Sequence, residues 1–177
     1  MAPASSAKPF SLYLAGYDVF RPDAVAHGEH LKRLCARHGL RGLYPLDKAG
    51  PPGLAGPELA AWIYRANVAL IRQADGVIAN LNPFRGAEPD SGTAFEVGYA
   101  VALGKPVWAY SSVASSIVEQ VAVGKSADGG VHIDAQGYTV EDFGMNLNLM
   151  LACSATVVIG DVQACLSRVV QDLETPF

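Results

Sequence analysis

Gly76–Tyr110 reads GVIANLNPFRGAEPDSGTAFEVGYAVALGKPVWAY. It opens on Gly76–Leu81, a short apolar run without polar alternation, the pattern of a strand covered on both faces. Asn82–Asp90, carrying Pro83, Gly86 and Pro89, turns that run into a loop. Ser91–Leu103 then reads as a helix stopped by Gly104, and Pro106–Tyr110 as a second buried strand. Strand, loop, helix and strand in that order predict one parallel crossover.

The same alternation runs outward in both directions. Upstream, Phe10–Ala15 (FSLYLA) is a strand ending at Gly16, and Pro22-Asp23 opens a helix along Val25, Leu31, Leu34 and Cys35 that Gly39 stops. Gly42–Tyr44 is a short strand. Pro45–Pro57, with four prolines and three glycines, is a loop long enough to cover something. Glu58–Ala74 is a helix whose stripe is Leu59, Trp62, Ile63, Ala66 and Leu70. Downstream, Ser111–Val123 reads as a helix, Gly124–Gly144 as a Gly- and Asp-rich, partly mobile stretch, and Met145–Cys153 as helical. Thr156–Ile159 supplies a fifth strand and Asp161–Leu173 a terminal amphipathic helix. With no internal repeat and no linker, residues 1–177 are expected to form one α/β domain, residues 1–9 being flexible. Its core is a doubly wound, parallel, five-stranded sheet with helices on both faces. Such sheets bind ligands beyond the carboxyl ends of their strands, which points to the loops after Ala15, Leu81 and Tyr110.

Composition narrows the function. Of the 177 residues 50% are hydrophobic and 17% charged, enough to bury a core and too apolar for disorder. A net charge of −4 argues against a chain built to neutralise nucleic-acid phosphates or anionic lipid. Mean hydropathy is +0.20, yet no apolar run approaches the ~18 residues that span a bilayer. Met1–Phe10 has no hydrophobic segment of a secretory signal, so a soluble cytoplasmic protein is expected, without membrane or nucleic-acid partners. Three widely spaced cysteines, Cys35, Cys153 and Cys165, form neither a disulfide framework nor a Cys-based zinc site. His27 and His30 stand three apart, on a solvated helix face or, less readily, at a metal; no metal is expected.

Chemistry concentrates at Glu96, the one charged residue between Asp90 and Lys105. A carboxylate in so apolar a helix has partners, a raised pKa or an opening onto a cleft. Thr93-x-x-Glu96 fits a capping box, with Glu96 reaching back to the Thr93 amide. Alternatively, a helix N-terminus at the crevice keeps Glu96 anionic, as a nucleophile requires. Asp90 is either the N-cap or the second carboxylate that glycosidic chemistry needs. Asp75, at the mouth of the third strand, is a turn residue or an acid. Gly92 and Gly98 suit close backbone approach to a ligand or to the sheet.

These segments carry a resemblance. YLAGYDVF (Tyr13–Phe20) with RPDA after it, ADGVIANLNPFRG, EPDSGTAFEVGYAVALGKPV and NLNLML (Asn146–Leu151) resemble, in order, the nucleoside 2-deoxyribosyltransferase family. The resemblance implies a flavodoxin-like fold and transfer of 2-deoxyribose between nucleobases, with no cofactor. It makes Glu96 the nucleophile and Tyr13 the residue that positions it. Asp90 and Asp75 become acids near base and sugar, sharing proton donation to the leaving base. Asn148 becomes the asparagine that enters a neighbouring subunit's site and binds sugar hydroxyls, with Asn146 its nearby competitor. Its partners are then a deoxyribonucleoside donor, a free nucleobase acceptor and further copies of the chain, in a homo-oligomer with shared active sites.

The remaining site expectations surround the base. Family members more commonly have Ala-Gly-Pro where this chain has Ala15-Gly16-Tyr17, so Gly16 and Tyr17 border the site and Tyr17 narrows the base pocket. Phe20 is expected beside them. Phe84, next to Arg85 in the loop Asn82–Glu88, is placed to stack on a base. Two other readings compete: an N-glycosidase of deoxynucleoside 5′-monophosphates, which needs a phosphate site, and a non-catalytic nucleotide sensor, which needs no nucleophile.

Overall fold

The computed structural model describes residues 8–175, so part of the segment expected to be flexible lies outside the described residues. The chain alternates β1 (Ser11–Ala15), α1 (Ala24–Arg37), β2 (Arg41–Leu43), α2 (Gly56–Gln73), β3 (Gly76–Asn80), α3 (Ser91–Ala102) and β4 (Val107–Ser111). It continues through α4 (Ile117–Val121), β5 (Gly124–Lys125), β6 (His132–Ile133), α5 (Leu149–Ala152), β7 (Thr156–Ile159) and α6 (Val162–Glu174). Five strands pair in the order β2-β1-β3-β4-β7, and every pairing is parallel. The order reverses between β1 and β3, which opens a crevice beyond Ala15 and Asn80.

Strand periodicity divides the core in two. Leu12, Leu14, Ile78, Trp108 and Tyr110 point to one face and pack with Leu31, Leu34 and Cys35 of α1 and Cys165, Leu166 and Val169 of α6. Tyr13, Ala15, Val77, Ala79, Val107 and Ala109 point to the other, against Ile71 of α2 and Val97 and Ala100 of α3. Because both faces are covered, the strands lack the polar alternation of a half-exposed sheet. Gly28 lets α1 lie directly on Tyr44: a Cβ there would come within 2.3 Å of the ring. Asp161 caps α6, its Oδ1 accepting from the amides of Gln163 and Ala164.

Several element boundaries differ from expectation. The helix expected over Ser111–Val123 shrinks to α4, because β4 runs on through Ser111 and a Ser116–Glu119 capping box starts the helix late. Met145–Cys153 is helical only in α5, because Asn148 is its N-cap. Within Gly124–Gly144, β5 and β6 pair antiparallel, and Asp134 closes the next turn by accepting from the amides of Gln136 and Tyr138. Asp23 does not cap α1 with its side chain; it pairs with Arg21. His27 pairs with Asp18 at 3.2 Å. Among the described residues no three His, Cys, Asp or Glu side chains gather at metal-binding spacing, and no helix is long and apolar enough to cross a membrane.

Candidate active site

The centre of the site is a contact between the middle of the sheet and α3. Tyr13, fully buried on β1, faces α3. Its Oη donates to Glu96 Oε1 at 2.5 Å. Burial, and then the adjoining Glu96 carboxylate, hold the Tyr13 hydroxyl far above the ordinary phenol range. Tyr13 therefore keeps its proton and acts as the donor.

Glu96 is not part of a capping box. The cap of α3 is Asp90, whose Oδ2 accepts from the Thr93 amide at 2.9 Å and from Thr93 Oγ1 at 3.0 Å. Glu96 sits in the second turn, beyond the reach of the strongest helix-terminus field. Burial pushes its carboxyl up from 4.5 to about 7, the Tyr13 hydrogen bond opposes that, Asp90 adds to it and Asn67 opposes it. Burial thus works against the anionic form that the start of the helix is expected to favour.

That balance has a pH signature. A carboxyl raised in the folded state stabilises the fold fully below about 4.5 and loses that contribution as pH climbs to about 7. The loss amounts to about 3 kcal/mol. Glu96→Gln, which cannot ionise, should therefore gain stability over the parent protein at pH 8 and gain little at pH 4.5. Urea unfolding at both values checks this, and an equal difference at the two would refute it.

The cleft beside this pair has a volume of about 620 Å³. Gly16, Val19 and Phe20 form the wall after β1, and Asp90, Gly92, Thr93 and Glu96 the wall at the start of α3. Leu46 and Lys48 of the loop after β2, and Leu59, Trp62, Ile63 and Asn67 of α2, line the rest of the cleft. The lining is largely apolar, with Lys48, Asn67, Asp90, Thr93 and Glu96 as its polar members. A mostly apolar cleft carrying a few polar groups suits a flat, partly aromatic ligand with a polar part.

Of the sequence-predicted residues, the structure brings together Tyr13, Gly16, Phe20, Asp90, Gly92 and Glu96. Asp75 is not with them. It precedes β3 and so lies at the amino end of the sheet, exposed, its Oδ2 accepting from the amide and hydroxyl of Ser11. Those bonds hold its carboxyl below the usual range, and a share in protonating the leaving base is ruled out by position. Tyr17 does not narrow the pocket and Phe84 offers it no ring. Phe84 stacks against Tyr17, with ring centroids 4.9 Å apart, and against Phe20 at 5.3 Å, while the Arg85 guanidinium lies 4.6 Å from the Phe84 centroid. Phe20 is the member of this group that lines the cleft. Gly98 opens instead onto a groove on another side of α3, shared with Asn148 and Met150. Asn148 caps α5 and donates to Glu141 Oε1 at 2.8 Å. Asn146 donates to the Val113 carbonyl at 2.7 Å. Neither asparagine lines its own chain's cleft.

Trp62 and Asn67 are the residues that sequence reading missed. Trp62 fits the expected apolar stripe of α2, yet it lines the cleft. Asn67 left a legible signal, being a polar residue set between Ile63, Ala66 and Leu70 on that stripe. Its Oδ1 is buried without a hydrogen-bond partner, a group that a ligand would satisfy.

A doubly wound sheet with a phenol-braced carboxylate in a cleft at its switch point defines an α/β protein with its cleft where such folds bind ligands. Comparison with known proteins identifies the family. A family model described as nucleoside 2-deoxyribosyltransferase matches residues 12–150. The 2-desoxiribosyltransferase from Leishmania mexicana is similar at 35% identity and TM-score 0.73, over 92% of this chain and 98% of that one. An uncharacterized protein of Schizosaccharomyces pombe is 38% identical over 113 residues, which are 62% of this chain and 54% of that protein. The chain thus matches about half the length of that curated relative. A conserved protein from Enterococcus faecalis shares the fold at 19% identity and TM-score 0.55, over 94% of this chain and 98% of that one. The chain belongs to the nucleoside 2-deoxyribosyltransferase family.

Proposed function

We propose that this protein transfers 2-deoxyribose from a deoxyribonucleoside to a free nucleobase through a glycosyl ester on Glu96. The observation that carries the reading is the Tyr13–Glu96 contact at the floor of the cleft. Tyr13 holds Oε1, leaving Oε2 to attack C1′ of the sugar as the bond to the base breaks. Positive charge develops on the sugar ring in that step, and the anionic Glu96 stabilises it. The base leaves with a proton from Asp90, whose Oδ1 has no hydrogen-bond partner among the described residues. A second base then attacks C1′ and expels Glu96, its ring N–H returning to Asp90 the proton that the first base took, so the protons balance and two inversions return the β configuration. The residues supply every step without a metal or organic cofactor.

Two observations weigh against the competing readings. The N-terminus of α3 is where a 5′-phosphate would find free amides, but the Asp90 side chain already occupies it. A sensor would have no use for a buried carboxyl that destabilises the ionised fold.

The reading includes a homo-oligomer with shared sites. On α3, Val101 is exposed beside Ala94 and Gly98, facing a groove left uncovered in the single chain. Met150, 72% exposed, borders the same groove as Val101 and Asn148. A second copy covering this surface would meet Asn148 there.

Incubating the protein with deoxyinosine and a panel of free bases tests the proposal. New deoxynucleosides should appear by chromatography, and inosine should be a poor donor because its extra hydroxyl needs both space and partners. Release of free sugar alone, unaffected by added bases, would refute transfer.

A further inference from the structure

Asp18 is the one charged residue in the buried class among the described residues, at 6% exposure. The catalytic reading gives it no role. It belongs to a 3-10 turn, Tyr17–Phe20, immediately after β1. Its Oδ2 accepts from Asn80 Nδ2 at 2.9 Å, and its Oδ1 lies 3.2 Å from His27 Nε2 on α1. Asn80 ends β3, and its Oδ1 accepts in turn from the amide and the side chain of Asn82. Asn82 Oδ1 accepts from the amide and hydroxyl of Ser112, just past β4. A continuous polar chain therefore ties together the carboxyl ends of β1, β3 and β4. Burying a carboxylate is costly, and a satisfied network of this kind fixes one geometry.

What it fixes is one wall of the cleft. Gly16 is drawn so close to β3 that a Cβ would lie 2.8 Å from Asn80 Cβ and 2.9 Å from Asp18 Oδ2. The turn that Asp18 anchors presents Val19 and Phe20 to the cleft, and Phe20 is braced from behind by Phe84. Trp62 of α2 lines the same cleft. The spacing between Phe20 and Trp62 thus depends on where the turn is held.

We propose that Asp18 is a positioning residue that sets the aromatic wall of the base-binding slot, and with it base affinity and base preference. The inference rests on reading the cleft as a nucleoside site. Asp18→Ala should raise KM for the free base by about tenfold while kcat, per site able to load sugar on Glu96, stays within about threefold. The ranking of acceptor bases should change with it. Asp18→Asn, which can still accept from Asn80 and offers His27 an amide donor, should recover most of the loss. A merely structural role would lower the fraction of competent sites and leave KM and the ranking of bases where they were. Unchanged KM and ranking in Asp18→Ala would overturn the inference while leaving base exchange standing, whereas a parent protein that exchanges no bases would overturn both.

Discussion

Glu96→Gln is expected to abolish base exchange, with kcat lowered by at least about 10³-fold. Gln preserves the shape of Glu96 and can still accept from Tyr13, so the loss reports the missing nucleophile and not a collapsed cleft. A 2-fluoro-2-deoxy-arabinosyl nucleoside makes the point directly. Its fluorine withdraws electrons from a transition state with oxocarbenium character, slowing both formation and breakdown of the ester. The parent protein should gain the mass of one fluorinated sugar, mapped to the peptide that carries Glu96, and Glu96→Gln should gain none. Loading should quicken as pH rises through about 7, where the carboxyl ionises. An adduct on Asp90 would reverse the roles of the two carboxylates, and product of inverted configuration would exclude a glycosyl-enzyme.

The second large effect concerns Asn148. Because it does not line its own chain's cleft, its expected role requires a neighbour. Asn148→Ala should cripple exchange by about tenfold or more, the scale of a lost sugar hydrogen bond in a closed site. Mixed with Glu96→Gln under conditions of subunit exchange, it should regain activity, since a hybrid dimer pairs one intact Glu96 with one intact Asn148. Random mixing of a reciprocal dimer makes about a quarter of all sites whole. No regain, with hybrids shown by mass to exist, would remove Asn148 from the neighbour's site.

The sheet was legible because buried parallel strands declare themselves as short apolar runs, and Gly39 and Gly104 mark where the helices between them stop. The Glu96 pocket was legible because one carboxylate stood in an otherwise apolar helix. The resemblance then supplied Tyr13, since nothing in the FSLYLA run separates a catalytic phenol from a core one. Asp75 was misplaced by treating the start of a strand as its mouth, although ligands gather at the other end. Phe84 was read as a free ring because ring stacking with Tyr17 and Phe20 joins segments more than sixty residues apart. Trp62 followed helical spacing faithfully. Periodicity reports that a side chain faces inward, and cannot say whether protein or ligand meets it there.

The Tyr13–Glu96 contact joins residues 83 apart in sequence. Between them lie α1, β2, α2, β3 and the loop that Asp90 ends, so the chain must complete its central crossover before the two side chains can meet. Such distant pairings form late when a chain assembles, after the entropy of closing the intervening loop has been overcome. On the proposed mechanism, nascent or partly folded molecules would therefore carry no premature reactivity toward nucleosides. A count of sugar-loaded Glu96 would then be a count of molecules that have finished folding.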